Sequence, residues 1–260
     1  MAYETILTEQ DGPAFVITFN RPDKRNALSQ QTIDDVADAV RKAAALPGVR
    51  AIIFTGGEKV FSAGADLNEA LKVKPVTDGD AFFGRANRLL ELLESVDKPV
   101  LAAIEGFCMT GGCELALACD IRIGAKGSSY AITSSRIGTV AGFGGTQRLP
   151  RIVGMSNAMD MLFLGDPIDA QEAHRIGLIN RLTEKGEALK EAKRLVSIYE
   201  KRGPLSLDFA KRAVRRGMQM DQISAIDLEF FMVNTIYGTE DKHEGIAAFL
   251  EKRDAKFKGR

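Results

Sequence analysis

Glu114 is the residue best placed to do chemistry. It follows Gly111 and Gly112 in the stretch Ala102–Asp120, AAIEGFCMTGGCELALACD. An apolar run over residues 99–105 has strand length, Gly106 and the glycine pair then interrupt it, and ELALAC has the composition of a buried helix. Strand, glycine turn and helix in that order aim free backbone N–H groups at one point. The first N–H groups of a helix have no internal partner, and that end carries a partial positive charge. Glycine lets a ligand approach the main chain closely. These residues suit an oxyanion-binding turn with a carboxylate beside it. A plain tight turn, with an acid favouring the helix start, would use the same residues.

A second stretch has the same layout. Residues 51–55, AIIFT, form an apolar, β-branched run followed by Gly56 and Gly57 and then by FSAGADLNEA. The small residues Ser62, Ala63, Gly64 and Ala65 end at Asp66, an acid able to start a helix. Two such units can offer one N–H each to the same oxygen.

The elements that must carry these turns read as follows. Residues 14–20, AFVITFN, alternate like a strand, and Arg21-Pro22-Asp23 breaks it. Ser29 caps a helix with Ile33, Val36, Ala37 and Val40 on one face, stopped by Pro47-Gly48. Residues 72–80, with Pro75 and Gly79, read as a loop of the kind that lies over a site. Residues 81–96 are helical by period. Ile121-Arg122-Ile123 reads as a short strand ended by Gly124, and residues 127–146 as irregular structure with a short strand near Tyr130. Beyond Met155 the strand signals fade, and segments 155–164, 169–176, 186–202, 204–219, 221–237 and 242–254 read as helices. The segment 221–237 carries more apolar surface than one stripe of a lone helix can hide.

Composition excludes several classes. The chain has 260 residues, 45% hydrophobic and 27% charged, with zero formal net charge. That balance gives no footprint for nucleic acid or an anionic membrane surface. No apolar run reaches the roughly 20 residues of a membrane span, and the start, MAYETILTEQDG, has no signal-peptide layout. The three cysteines, Cys108, Cys113 and Cys119, lie in one stretch. They suit buried small hydrophobes in a reducing compartment, read as the cytoplasm, better than a disulfide framework. Neither His174 nor His243 lies near them, so no metal site is expected. Neither histidine is tied to a nucleophile by motif. No GxGxxG follows a strand, which argues against a dehydrogenase.

The segments FSAGADL and AAIEGFCMTGGCELALACD, with GTQRLPRIVG downstream, resemble the crotonase (enoyl-CoA hydratase/isomerase) superfamily. The match runs from RPDKRNAL to AAFLEKRDAKFKGR. The resemblance implies an α/β fold: a crotonase-like spiral of repeated ββα units over residues 1–195, and a helical C-terminal region over 196–260 that packs on the core and on neighbouring subunits. It implies an acyl-CoA thioester substrate, coenzyme A entering as part of that substrate with no further cofactor, and a homo-oligomer, trimer or hexamer. It places the oxyanion donors at the backbone N–H groups of Ala65 and Gly111, with Glu114 as acid/base. It places coenzyme A against Lys24, Arg25, Ala27, Ala63, Asp66 and Leu67, and near Phe249 and Lys252, which in relatives sometimes serve a neighbouring subunit. For Phe249 an ordinary amphipathic terminal helix is the simpler account. Met109, Phe82, Phe83, Ile132, Val140 and Phe143 are candidates for the acyl wall, although core packing accounts for most of them.

One departure limits the chemistry. Hydratases of this family use two glutamates on one water, and the second falls here on Ser134, within SSRIGTVAGFGGTQ. No acid occurs between Asp120 and Asp160. Gly142, where other members carry an aspartate, leaves room and no acid. A serine hydroxyl cannot replace a carboxyl as general acid near neutral pH, but it can hold a water or a substrate oxygen. The chain therefore reads as an enoyl-CoA hydratase or isomerase. Thioester hydrolysis, carbon–carbon lysis and low-turnover acyl-CoA binding remain open alternatives. Arg136 reads as a solvent-facing or structural cation.

Overall fold

The computed structural model describes residues 3–74 and 77–260. Pro75, within the expected loop 72–80, lies outside the described residues.

The chain opens with a hairpin, β1 (Ile6–Asp11) and β2 (Ala14–Phe19). In β1 only Ile6 is buried, so its sequence carried no apolar alternation to find. Helix α1 (Gln30–Ala45) follows, and the Ser29 side chain accepts from the Thr32 N–H as expected. Then come β3 (Ala51–Thr55), β4 (Val60–Ser62) and α2 (Leu67–Ala70), with Asp66 as its cap. One turn, α3 (Thr77–Gly79), runs into a π-helical turn at Asp80–Gly84 and then α4 (Arg85–Ser95). The expected loop is thus helical from residue 77.

The central unit holds one strand more than expected. β5 (Val100–Ile104) turns at Gly106 (φ +61°) into β6 (Phe107–Met109), which leads into α5 (Gly111–Ala118). Next are β7 (Ile121–Ala125), β8 (Ser129–Ala131), a 3-10 turn at Ser134–Ile137, α6 (Gly145–Val153) and α7 (Met155–Leu164). Gly124 lies inside β7 instead of ending it, because the Tyr130 hydroxyl fills the space a side chain there would take. β9 (Ile168–Asp169), α8 (Ala170–Arg175) and β10 (Arg181–Thr183) follow. Both of these strands are too short to have shown a period. The chain ends in α9 (Ala188–Tyr199), α10 (Pro204–Gly217), α11 (Gln222–Tyr237) and α12 (Glu240–Leu250).

The strands form two sheets, ordered β1-β2-β3-β5-β7-β10 and β4-β6-β8-β9. β3 and β4, β5 and β6, and β7 and β8 each give one strand to each sheet, which is the repeated ββα spiral. Pairing is parallel except at β1–β2 and β8–β9. The central strands are buried on both faces and so read as unbroken apolar runs. Ile52 and Phe54 of β3 face the main core, whereas Ala51 and Ile53 face a second layer. Ala188, Ala192, Leu195 and Val196 of α9 close that second layer. A boundary at residue 195 would therefore cut a helix that belongs to the core. Glu105, at the turn after β5, accepts from the Gly186 and Ala188 N–H groups and caps α9 across the sheet.

Candidate active site

All of α5 is buried, and Thr110, the residue that precedes it, provides no side-chain cap. Buried helix starts without a cap leave N–H donors that need a partner. Thr110 itself adopts φ +41°, ψ −110°, a conformation costly for a β-branched residue. Its N–H donates to Ala131 O, and its hydroxyl pairs with Thr133 Oγ1 at 2.8 Å. Sequence alone gave no sign of this strained residue.

The two small-residue turns meet. A methyl group built on Gly64 would lie 3.0 Å from the Gly111 nitrogen, and one built on Gly111 would lie 3.1 Å from the Ala65 nitrogen. Gly64 takes φ +100°, so this close passage requires glycine there. Neither the Ala65 nor the Gly111 N–H has an acceptor among the described residues. The Ala65 loop is held from behind: the Leu28 N–H donates to Gly64 O, and the Asp66 N–H donates to Leu28 O.

Glu114 lies in the first turn of α5 and is 2% exposed. Its Oε1 accepts from the Phe143 and Gly145 N–H groups, both at 2.8 Å. Burial pushes its carboxyl above the ordinary glutamate range, and those two N–H groups and the Arg148 cation only partly offset that. A carboxyl so placed holds its proton more readily than one in water.

The remaining candidates fall as follows. Ser134 is 5% exposed, and its hydroxyl makes no hydrogen bond among the described residues. Gly142 leaves no room: the Phe83 ring would lie 2.6 Å from a methyl built there. Phe83 comes from the π-helical turn and packs edge-on to Phe82 and Phe143. Phe82, Ile132 and Phe143 are buried, whereas Val140 is exposed. Arg136 pairs with Asp166, a structural ion pair as expected. Both histidines are exposed.

Lys24 and Arg25 are exposed, and neither side chain has a partner among the described residues. Their loop is stitched to the Ala63 loop: the Ala63 N–H donates to Arg25 O, and Ser62 Oγ donates to Asn26 O. Ala27 therefore stands beside Ala63. Asp66 spends its carboxylate on Arg21 (3.0 Å) and on the Asn68 N–H, so its side chain fixes the loop. Leu67 is exposed next to it, and Lys252 and Phe249 are exposed at the end of α12.

The sequence model of the family described as enoyl-CoA hydratase/isomerase matches residues 9–260. The chain belongs to the enoyl-CoA hydratase/isomerase family. Among the members of this family, a crotonyl-CoA hydratase of Syntrophomonas wolfei is 39% identical over 99% of both chains. A short-chain-enoyl-CoA hydratase of Clostridium acetobutylicum is 37% identical over 97% of both. A crystal structure titled as an enoyl-CoA hydratase of Bacillus anthracis superposes with TM-score 0.94 at 32% identity, covering 99% of this chain and 100% of that one. That crystal structure therefore shares the overall architecture of this chain. No helix among the described residues is long and apolar enough to cross a membrane.

Proposed function

We propose that the chain acts on short enoyl-CoA thioesters, adding water across the conjugated double bond or moving that bond. The observation that carries this is the meeting of two unpartnered amides, Ala65 and Gly111, one turn of helix from a buried carboxyl. Negative charge that develops on the thioester oxygen is stabilised by the two amides. Losing one such donor costs roughly 3–4 kcal/mol. In hydration Glu114 takes one proton from water as the water oxygen bonds to C3 and the electron pair moves to the thioester oxygen, and the enolate collapses as C2 takes that proton back from Glu114. The family membership and the hydratase names of the relatives support the reading.

Ser134, with its unengaged hydroxyl, holds the water or relays its proton. Coenzyme A enters as part of the substrate, its phosphates against Lys24 and Arg25 and its adenine along Ala63, Asp66 and Leu67. Ala27 lines that path, and Lys252 reaches the nucleotide. Helix α11 buries none of its residues, and Ile223 and Phe231 are 77% and 69% exposed. Such a helix calls for other copies of the chain, in a trimer or hexamer.

A second reading, double-bond isomerisation by one carboxyl, is favoured by Ser134 and by the Phe83 ring filling the space at Gly142. One experiment serves both. Crotonyl-CoA is mixed with the protein in deuterium oxide, with and without Glu114→Gln, and the conjugated-thioester absorbance and deuterium at C2 and C4 are followed. Hydration removes the absorbance, whereas isomerisation places deuterium at C4. Equal inertness of both proteins while crotonyl-CoA still binds would end the proposal.

A further inference from the structure

Arg148 stands behind the carboxylate. Its Nη1 donates to Phe143 O at 3.0 Å, and the Phe143 N–H donates to Glu114. Gly144, at φ +82°, lets it approach, because the guanidinium fills the space of any side chain there. Arg148 thus grips the three residues, 143 to 145, whose N–H groups cradle Glu114 Oε1.

Arg148 is itself clamped. Its Nε and Nη2 donate to Glu94 of α4 at 2.7 and 2.9 Å, a paired geometry that fixes orientation. Glu94 also accepts from Arg215 of α10 at 3.0 Å. Arg215 goes on to Asp120 at 2.8 Å and to Ala118 O, the last residue of α5, at 2.7 Å. Lys211 of α10 meets Asp120 at 2.9 Å. The chain of charges lines a cavity of about 820 Å³ between α10 and the core, whose walls do not include Ala65 or Gly111. Arg215 of α10 therefore bonds the last residue of α5 directly and reaches the cradle only through Glu94 and Arg148.

We infer that Arg148 is a positioning residue for Glu114, and that Glu94 and Arg215 hold it in that role from α4 and the C-terminal region. The inference rests on the role proposed for Glu114. Of the charged side chains on α4 and α6, Arg148 is the one that acts on the Glu114 carboxyl. Glu91 and Glu94 of α4 act on Arg148. The other neighbours of α5 bring Ser62 from β4 and the Cys108 thiol from β6, and α5 itself brings Cys113. Burial holds the Cys108 thiol protonated.

The test compares the wild-type chain with Arg148→Met, Arg148→Lys, Glu94→Gln and Glu114→Gln, as kcat, KM and pH profile on crotonyl-CoA. Removing the cation raises the Glu114 pKa. Arg148→Met therefore lowers kcat roughly tenfold or more, moves the acid limb of kcat to higher pH and leaves KM within about twofold. Arg148→Lys restores the limb but not the full rate. If Arg148→Met does not fold, Glu94→Gln, which keeps the cation but loosens it, must lower kcat with KM unchanged. An inert Glu114→Gln beside an Arg148→Met with wild-type kcat and acid limb overturns this inference alone. A fall in kcat with the limb unmoved makes Arg148 merely structural and also overturns it. An active Glu114→Gln removes the proposed function first.

Discussion

Gly145 presses its backbone against the Glu114 carboxyl. Its N–H donates to Oε1 at 2.8 Å, and a methyl group on its α-carbon would lie 2.8 Å from that same oxygen and 2.9 Å from Glu114 Cγ. Gly145→Ala therefore has to displace the carboxylate. Turnover of crotonyl-CoA should fall by roughly 10²-fold, as for misplacement by about an ångström. The melting temperature should drop by only a few degrees, because overpacking at one site costs about 1–3 kcal/mol. Steady-state kinetics and thermal melts check both.

Glu114→Gln should stabilise the protein at neutral pH. Burial raises the folded-state pKa of the carboxyl above the ordinary 4.5. The protonated form is thus favoured on folding, so stability from this group is complete below about pH 4.5 and is lost as pH rises through the higher folded value. Each unit of that rise corresponds to about 1.4 kcal/mol. Glutamine keeps an oxygen for the Phe143 and Gly145 N–H groups without that loss. Melts across pH 4–8 should show the variant ahead at the alkaline end, with the gap closing on acidification. A gap that widens on acidification would contradict the burial argument.

Lys24→Ala combined with Arg25→Ala should raise KM for a CoA thioester several-fold and leave kcat nearly unchanged. Charge-assisted contacts to phosphate contribute about 1.5–3 kcal/mol each when formed, less when exposed. The effect should shrink as salt is added. Kinetics at low and high ionic strength decide the matter, and an unchanged KM at low salt would remove both residues from the binding surface.

Ile226→Asp combined with Phe230→Asp should break self-association. Both side chains are more than half exposed on α11 in the single chain. A charge in an apolar interface costs several kcal/mol unless it finds a partner. Light scattering should report a species of at least three chains for the wild type and a smaller one for the variant. A monomeric wild type at micromolar concentration would refute the expectation.

The sequence disclosed what is local and hid what is not. Ser29 and Asp66 cap helices as their types and places suggest, because a cap acts on the next turn of its own chain. The runs at 51–55 and 100–104 read as strands because both their faces are buried. Glu114 was legible through its spacing from Gly111. Its partners were not, since Phe143 and Gly145 come from a separate turn some thirty residues on. Gly142 reads as open, yet the Phe83 ring packs against it, and Gly124 reads as a strand end, yet the Tyr130 hydroxyl fills its side. In both cases an aromatic side chain fills the space beside the glycine, from far along the chain at Gly142 and from the next strand at Gly124.

The bond from Glu105 to the start of α9 makes the spiral and the helix inseparable. A fragment ending before Gly186 would strand a buried carboxylate without its donors and strip the sheet of its second cover. The turn that begins one residue later, at Gly106, and leads through β6 into α5 would lose its footing with it. Limited proteolysis should thus find no stable product cut between β10 and α9, although the linker there is short and polar.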